Sequence, residues 1–125
     1  RMTERQAKQM IVCDYGKAMN GGRYVWCGAS FRATDCSGLT MQCYNQIGVN
    51  ITHSVYYQSR CGEPVRNLAS MQPGDLIILN YSSHVAMYVG DGKMVHAMNS
   101  SDGIKVESTS QLQYYRVDTV RRIIR

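Results

Sequence analysis

The sequence predicts an α+β domain in which N-terminal helices pack on a small, largely antiparallel sheet. Apolar residues recur at helical intervals in the first part of the chain, whereas short apolar or alternating runs follow residue 73. Helices that precede a group of strands are typical of α+β layering, because alternating βα units would give a parallel sheet. A chain of 125 residues supports one compact core, so we expect a single domain over 1–125 with one site.

Two helices are expected before residue 50, and each has a start signal and a stop signal. The first begins at a capping box formed by Thr3 and Gln6 and ends at the Asn-Gly-Gly segment 20–22. The second begins at Cys36, continues through apolar residues three and four positions apart, and ends at Gly48. The buried face of the second helix therefore starts with a cysteine.

The rest of the chain predicts one short helix and then five strands. Ser54 is a candidate cap for a helical turn near 57–60. The Pro-Gly-Asp segment 73–75 is a turn signal, and apolar runs typical of strands follow it. The strands are expected at 76–79, 85–89, 94–98, 104–106 and 117–124. We expect the helix that begins at Cys36 to pack against this sheet.

Cys36 is the most informative residue chemically, because it stands at the predicted start of a helix. Free backbone N–H groups and the positive end of the helix dipole favour a thiolate, so we expect a pKa below the ordinary ~8.5. A cysteine nucleophile also needs an imidazole that takes the thiol proton and returns it to the leaving group. His84 is the candidate base, and His96 is the candidate residue that orients it. Together the three residues predict a thiol hydrolase.

The register of one hairpin decides whether the two histidines can serve one site. A two-residue turn would place Met87 opposite His96 and direct the two imidazoles to opposite faces of the sheet. A three-residue loop at 90–92 would instead place Ala86 opposite His96, on the face that carries His84. We predict the three-residue loop, which makes the histidines diagonal neighbours.

Composition and charge narrow the remaining possibilities. Fourteen Lys and Arg residues against nine Asp and Glu give a net charge of +5, which suits wall polymers, phosphates or nucleic acid without choosing among them. No RNA- or DNA-reading motif is present, so we expect no nucleic-acid partner. No apolar run approaches the ~20 residues that span a bilayer, so we expect no membrane insertion. Because the chain opens at Arg1, we expect an excised domain whose targeting sequence and partner domains lie elsewhere.

The cysteines predict free thiols and no metal site. Their number is five, so they cannot all pair, and Cys36 is the thiol expected to stay free. Cys13 and Cys43 lie on apolar helical faces, where a free cysteine acts as a small hydrophobic residue. The spacings do not match zinc-ligand patterns, so we expect neither a metal nor a cofactor.

Five segments of the chain carry a family resemblance. They are 24–28 (Tyr-Val-Trp-Cys-Gly), 35–39 (Asp-Cys-Ser-Gly-Leu), 71–76 (Met-Gln-Pro-Gly-Asp-Leu), 84–90 (His-Val-Ala-Met-Tyr-Val-Gly) and 95–97 (Val-His-Ala). In this order, the sequence resembles the NlpC-type (NlpC/P60) cysteine endopeptidases, which cut bacterial cell-wall peptides. The resemblance implies a papain-like α+β fold, an extracellular or cell-wall location, and hydrolysis of the peptide stem of peptidoglycan. The usual target of the family is the bond from the γ-carboxyl of D-glutamate to the diamino acid.

The resemblance also implies a role for each matching residue. The nucleophile, the base and the orienting third residue are Cys36, His84 and His96. Tyr24 stands where the family has a tyrosine beside the thiol, which implies contact with the oxyanion or the substrate. Asp35 and Ser37 flank the nucleophile, which implies contact with the stem peptide.

Other conspicuous residues are expected to have structural roles only. Cys27 stands where the family commonly has glycine, and we expect a buried free thiol there rather than a regulatory disulfide with Cys36. Val55 stands near where a small hydroxyl residue often lines the substrate groove. His53 is expected at the surface without a partner, and Trp26 is expected in the core. The tyrosines expected to close the core are Tyr56, Tyr57, Tyr114 and Tyr115.

Several functions stay open at this stage. The leading hypothesis is a monomeric wall endopeptidase that acts on peptidoglycan stem peptides through a thioester. A wall amidase or another thiol acyltransferase on a related fold is the alternative among enzymes, and a catalytically silent wall-binding module is the alternative outside them. Nucleic-acid binding rests on charge alone. The sequence does not choose between lysine and diaminopimelate as the diamino acid.

Overall fold

Three helices and two β-sheets form the chain, and the computed structural model describes all residues, 1–125. The helices are α1 (Glu4–Ala18), α2 (Cys36–Asn45) and α3 (Val55–Gln58). The smaller sheet contains β1 (Arg23–Tyr24), β2 (Ala29–Ser30) and β3 (Ala33–Thr34). The larger sheet contains β4 (Glu63–Val65), β5 (Leu76–Leu79), β6 (His84–Gly90), β7 (Lys93–Asn99), β8 (Gly103–Ser108) and β9 (Val117–Arg122). Two short 3₁₀ helices lie at Leu68–Ser70 and Thr109–Tyr114.

The larger sheet is antiparallel throughout, with the strand order β4-β9-β5-β6-β7-β8. This arrangement confirms the predicted α+β class, the three helices and the five strands β5 to β9. The sequence did not predict β4 or the smaller sheet, in which β3 pairs with β1 and β2. Strands of two or three residues are too short to show a periodic pattern.

Local signals define the first helix as predicted. The Thr3 N–H donates to Gln6 Oε1 at 2.9 Å, and the Gln6 N–H donates to Thr3 Oγ1 at 3.1 Å. These reciprocal bonds are the capping box. Gly16 lets α1 approach the sheet closely, because a Cβ there would lie 3.0 Å from Met87 Cε and 3.1 Å from Val95 Cγ1.

Two apolar clusters occupy opposite faces of the larger sheet. The cluster beneath α1 and α2 includes Val12, Leu39, Cys43, Tyr44, Leu76, Ile78, Val85, Met87 and Val95. The cluster on the other face is formed by Ile77, Leu79, Ala86, Met94, Leu112 and Val120. Side chains alternate along a strand, so His84 and His96 share the face of Ala86 and Met94.

The turn between β6 and β7 differs from the predicted loop. It contains two residues, Asp91 and Gly92, and Gly90 pairs with Lys93. Both turn residues have positive φ, 53° and 69°, as a type I′ hairpin turn requires. The prediction of a three-residue loop is therefore wrong.

A β-bulge nevertheless gives the predicted pairing near the histidines. The register shifts between Tyr88 and Gly90, so Val89 is an extra residue on β6. As a result, Met87 pairs with Val95 and not with His96. The hairpin thus keeps both imidazoles on one face by a different device from the one expected.

Candidate active site

Cys36 is the first residue of α2, so its thiol lies at a helix N-terminus as predicted. The helix begins here because Asp35 has an extended backbone and its side chain accepts a hydrogen bond from the Gly38 N–H at 2.8 Å. A Cβ at position 38 would collide with the carbonyl oxygen of Gly28 and the hydroxyl of Thr34. Glycine therefore allows the smaller sheet and the preceding loop to hold the helix terminus in place.

The two histidines converge next to this helix terminus. The backbone N–H of Val85, the residue after His84, lies near enough to the Cys36 sulfur to lower its pKa. His84 Nε2 lies 2.8 Å from His96 Nδ1, and the ring centroids are 5.1 Å apart. The predicted convergence of the rings is therefore confirmed. Nδ1 of His84 makes no hydrogen bond within the protein.

Glu107 extends this arrangement beyond the predicted residues. Its Oε2 atom lies 2.6 Å from His96 Nε2. The His96 side chain is completely buried, whereas the Glu107 side chain is 21% exposed. Glu107 lies diagonally across from His96, because Lys105 pairs with His96 and Glu107 pairs with Met94. The signal that could reveal this contact is the register of the β7–β8 hairpin, in which position 107 lies diagonally across from position 96.

Tyr115 covers the base from the segment before β9. Its ring is nearly parallel to that of His84, with an interplanar angle of 15° and centroids 6.3 Å apart. It also meets the His96 ring edge-on at 6.3 Å. The two imidazoles are therefore shielded by an aromatic side chain and are held in a fixed orientation.

Burial sets the protonation states of the substrate-free site. Burial raises the pKa of the Cys36 thiol and outweighs the neighbouring backbone N–H groups that lower it. The predicted lowering of this pKa by the helix terminus is therefore wrong for the resting protein. Burial, with the adjacent His96, lowers the pKa of His84 to about 4. At neutral pH the site thus holds a thiol and a neutral imidazole, which is the form that acts as a general base.

Tyr24 and Ser37 both lie close to Cys36. Burial raises the pKa of the Tyr24 phenol, and the nearby Cys36 and Asp35 raise it further, so this hydroxyl remains a donor at neutral pH. Ser37 is buried in the first turn of α2. Its carbonyl oxygen accepts a hydrogen bond from the Gln58 amide at 3.0 Å. A side chain of α3 therefore restrains the main chain of the residue that follows Cys36.

His53 has a partner that the sequence did not predict. Its Nε2 atom lies 2.7 Å from Asp35 Oδ1, so the prediction of a surface histidine without a partner is wrong. The same carboxylate oxygen accepts the capping bond from Gly38, whereas Oδ2 makes no bond within the protein. The residue before the nucleophile is thus restrained by both α2 and the loop that precedes α3.

Several expected core residues lie at the surface instead. Cys27 is exposed, which contradicts the predicted buried thiol, and no disulfide joins it to Cys36. Its φ of 59° is a conformation that glycine adopts most easily, which accounts for the glycine expected there. Trp26 is 79% exposed, so its predicted core position is wrong. The tyrosines that are also exposed are Tyr56, Tyr57 and Tyr114.

Two further cysteines lie in the core of the domain. Cys13 and Cys43 are buried free thiols in the core, as predicted. No three His, Cys, Asp or Glu side chains are grouped so that they could hold a metal ion. No helix has the length and apolar character needed to cross a membrane.

Comparisons with known proteins identify the family. The sequence model of the NlpC/P60 family matches residues 21–122, which is most of the chain. The chain belongs to the NlpC/P60 family. A solved NlpC/P60 family structure from Bacillus cereus superposes on this domain with a TM-score of 0.83 at 31% identity, covering 94% of this chain and 40% of that one. The papain-like α+β class is confirmed by this likeness.

Two relatives of this NlpC/P60 domain have names that indicate an activity. A Mycobacterium tuberculosis protein named "probable endopeptidase" is 40% identical over 87 residues, which cover 69% of this chain and 22% of that protein. A Bacillus cereus "gamma-D-glutamyl-L-lysine dipeptidyl-peptidase" is 36% identical over 97 residues, 73% of this chain and 29% of that protein. The domain therefore spans less than a third of the length of either relative.

Proposed function

We propose that this NlpC/P60 domain is a cysteine endopeptidase that hydrolyses the stem peptide of peptidoglycan. One arrangement carries the proposal: Cys36 lies at a capped helix terminus, its sulfur is near the backbone N–H of the residue after His84, and His84 Nε2 lies 2.8 Å from His96 Nδ1. A wall-binding module would not need a thiol, a base and a group that orients the base together. The endopeptidase and dipeptidyl-peptidase names of the two relatives support the same class of reaction.

The reaction begins when the Cys36 thiol gives its proton to Nδ1 of His84. The sulfur forms a bond to the amide carbonyl carbon, and the oxyanion accepts hydrogen bonds from the Cys36 backbone N–H and the Tyr24 hydroxyl. The His84 imidazolium then protonates the leaving amine as the C–N bond breaks. Water, deprotonated by His84, hydrolyses the resulting thioester and restores the thiol.

The resting pKa values indicate how the first step occurs. The pKa of the thiol is raised and that of His84 is lowered, so proton transfer before substrate binds is uphill. We therefore expect proton transfer to be coupled to the attack of sulfur on the carbonyl carbon. Bound substrate also displaces water from around the reacting groups, which strengthens the hydrogen bonds to the oxyanion.

We propose the bond from the γ-carboxyl of D-glutamate to the diamino acid as the site of cleavage. The name of the Bacillus cereus relative supports this choice. Asp35 and Ser37 flank the nucleophile, and we propose that they contact the stem peptide on the side of D-glutamate. A wall amidase is the alternative, because the same chemistry could act on the bond that joins the stem to muramic acid.

Digestion of defined muropeptides, with products identified by mass spectrometry, tests the proposal. We expect cleavage inside the stem, and paired substrates with lysine or diaminopimelate will show which diamino acid is preferred. Cys36→Ala should abolish cleavage, whereas the matched control Cys27→Gly should retain it, since Cys27 is exposed and has a glycine-like φ. Release of whole stems would indicate an amidase. Binding to wall sacculi without any product would indicate a silent module.

We also propose that residues 1–125 are the catalytic domain of a longer protein that acts in the cell wall or outside the cell. The short coverage of both relatives supports this. Light scattering of the isolated domain should give the mass of a monomer, close to 14.1 kDa. A dimer at micromolar concentration would contradict the monomer.

A further inference from the structure

Three hydrogen-bonded side chains lead from β8 to His84, the proposed base. Glu107 Oε2 lies 2.6 Å from His96 Nε2, and His96 Nδ1 lies 2.8 Å from His84 Nε2. The three residues come from the adjacent strands β8, β7 and β6. Because the His96 side chain is completely buried, bulk water cannot replace either of its partners.

The chemistry of these groups fixes the direction of each bond. A carboxylate only accepts hydrogen bonds, so Nε2 of His96 must carry a proton and donate it to Glu107. A neutral imidazole has one donor and one acceptor, so Nδ1 of His96 must then accept a hydrogen bond from the N–H at Nε2 of His84. His84 is left with a lone pair on Nδ1, the atom that has no partner within the protein. That lone pair is the one a general base needs.

We infer that Glu107 is a positioning residue, which selects the tautomers of His96 and His84 and so keeps Nδ1 of His84 ready to accept the Cys36 proton. This inference rests on the proposed function. Without the carboxylate, both rings can adopt the opposite tautomer with no change in ring geometry. Nδ1 of His84 would then carry a proton and direct it at the thiol, which blocks the base.

Glu107 also supplies the negative charge that the histidine pair needs during the reaction. The other titratable groups next to the two rings are Lys105 from β8 and Tyr115 from the segment before β9, and the Cys36 thiol lies near the backbone N–H of Val85, the residue after His84. Lys105 disfavours a positive charge on His96, whereas the Glu107 carboxylate favours one. When His84 takes the thiol proton, Glu107 is the anion hydrogen-bonded to the pair. Its loss should lower the pH at which the pair becomes protonated.

The first test reads the tautomers directly by ¹⁵N NMR of the histidine rings. The protein has three histidines. His53 serves as an internal reference, because it bonds to Asp35 and not to Glu107 or the other two histidines. We expect a proton on Nε2 of both His84 and His96 in the wild-type domain. In Glu107→Gln we expect a mixture of tautomers, since an amide can donate as well as accept. A proton on Nδ1 of His84 in the wild type, or identical tautomers in both proteins, would overturn the inference.

The second test measures cleavage of a muropeptide against pH. Glu107→Gln should lower kcat on the order of 10- to 100-fold with little change in KM, and should move the acidic limb of the profile to lower pH. Glu107→Asp keeps the carboxylate and should restore the wild-type limb with part of kcat. Glu63→Gln is the matched control, because Glu63 is an exposed glutamate that pairs only with Arg125. The proposed role is contradicted if the acidic limb of the pH profile is the same in Glu107→Gln as in the wild type. It is also contradicted if kcat of Glu107→Gln equals that of Glu63→Gln.

The two tests separate this inference from the proposed function. The NMR experiment uses no substrate, so it reports on Glu107 even if the domain cleaves a different bond. Thermal unfolding of each variant shows whether the fold is intact. A folded Glu107→Gln protein with wild-type tautomers and low activity would assign Glu107 to some other structural role and refute the inference.

Discussion

The two sides of the candidate site are built by different means. On the side of the nucleophile, the start of the helix is set by a neighbour in the sequence, because Asp35 caps α2 through the Gly38 N–H three residues later. On the side of the base, residues that are 12 and 11 positions apart, His84, His96 and Glu107, meet only because three strands pair in one register. The first side depends on local signals, and the second depends on the pairing of the sheet.

This contrast teaches where the site is sensitive to change. A two-residue turn with regular pairing would place Met87 opposite His96, and the imidazoles would point to opposite faces. The bulge at Val89 prevents this outcome. The base therefore depends on a single extra residue that lies outside the site.

The largest predicted effect is the loss of activity when the base is removed, and a double mutant shows whether the base and the nucleophile act together. His84→Ala removes the base and should lower kcat on the order of 10³-fold or more, measured on a defined muropeptide. Cys36→Ala combined with His84→Ala should be no less active than Cys36→Ala alone, because a nucleophile and its base act as one unit. If the two losses multiply, the sides act independently and the proposed mechanism is wrong.

The same contrast explains what could be predicted from sequence. The capping box, the start of α2 and the strands β5 to β9 follow from local spacing. The family motifs predicted that Cys36, His84 and His96 belong to one site. The turn at Asp91 was mispredicted, because a bulge can compensate for loop length and local sequence does not reveal it.

Other misses have the same origin in contacts between distant segments. Glu107 and the His53 bond to Asp35 both depend on segments that approach only after folding. The exposure of Trp26 and Cys27 also depends on a turn, at which Cys27 adopts positive φ. The raised pKa of Cys36 was missed because the depth of burial is a property of the folded chain.

Tyr24→Phe tests whether the Tyr24 hydroxyl is an oxyanion donor on the side of the nucleophile. The substitution keeps the ring and removes the hydroxyl donor, and loss of one oxyanion donor typically lowers kcat by ~10²-fold, about 3 kcal/mol. We expect kcat to fall and KM to change little, as determined from steady-state kinetics on one muropeptide. A rise in KM at constant kcat would instead assign the hydroxyl to substrate binding.

On the side of the base, the buried His84 should make the free energy of unfolding fall at acidic pH. Burial lowers the pKa of His84 from 6.5 to about 4, so the unfolded chain binds more protons between these pH values. This contribution is fully present above pH ~6.5 and is lost as the pH falls towards ~4, by up to ~3 kcal/mol. Urea unfolding at several pH values gives the free energy of unfolding as a function of pH. Between pH ~6.5 and ~4 this free energy should fall less steeply for His84→Gln than for the wild type. If the free energy of unfolding depends on pH equally in both proteins, burial does not lower the pKa of His84.

The smallest expected effect tests whether the side of the nucleophile is held locally. Asp35→Ala removes the cap and should lower the free energy of unfolding by about 1 kcal/mol, whereas Asp35→Asn should retain most of it, since asparagine also caps helices. Urea unfolding followed by circular dichroism measures both variants. If Asp35→Ala is as stable as the wild type, the terminus of α2 is held by the packing of Gly38 against Gly28 and Thr34. Both sides of the site would then depend on contacts between distant segments, and the contrast between them would disappear.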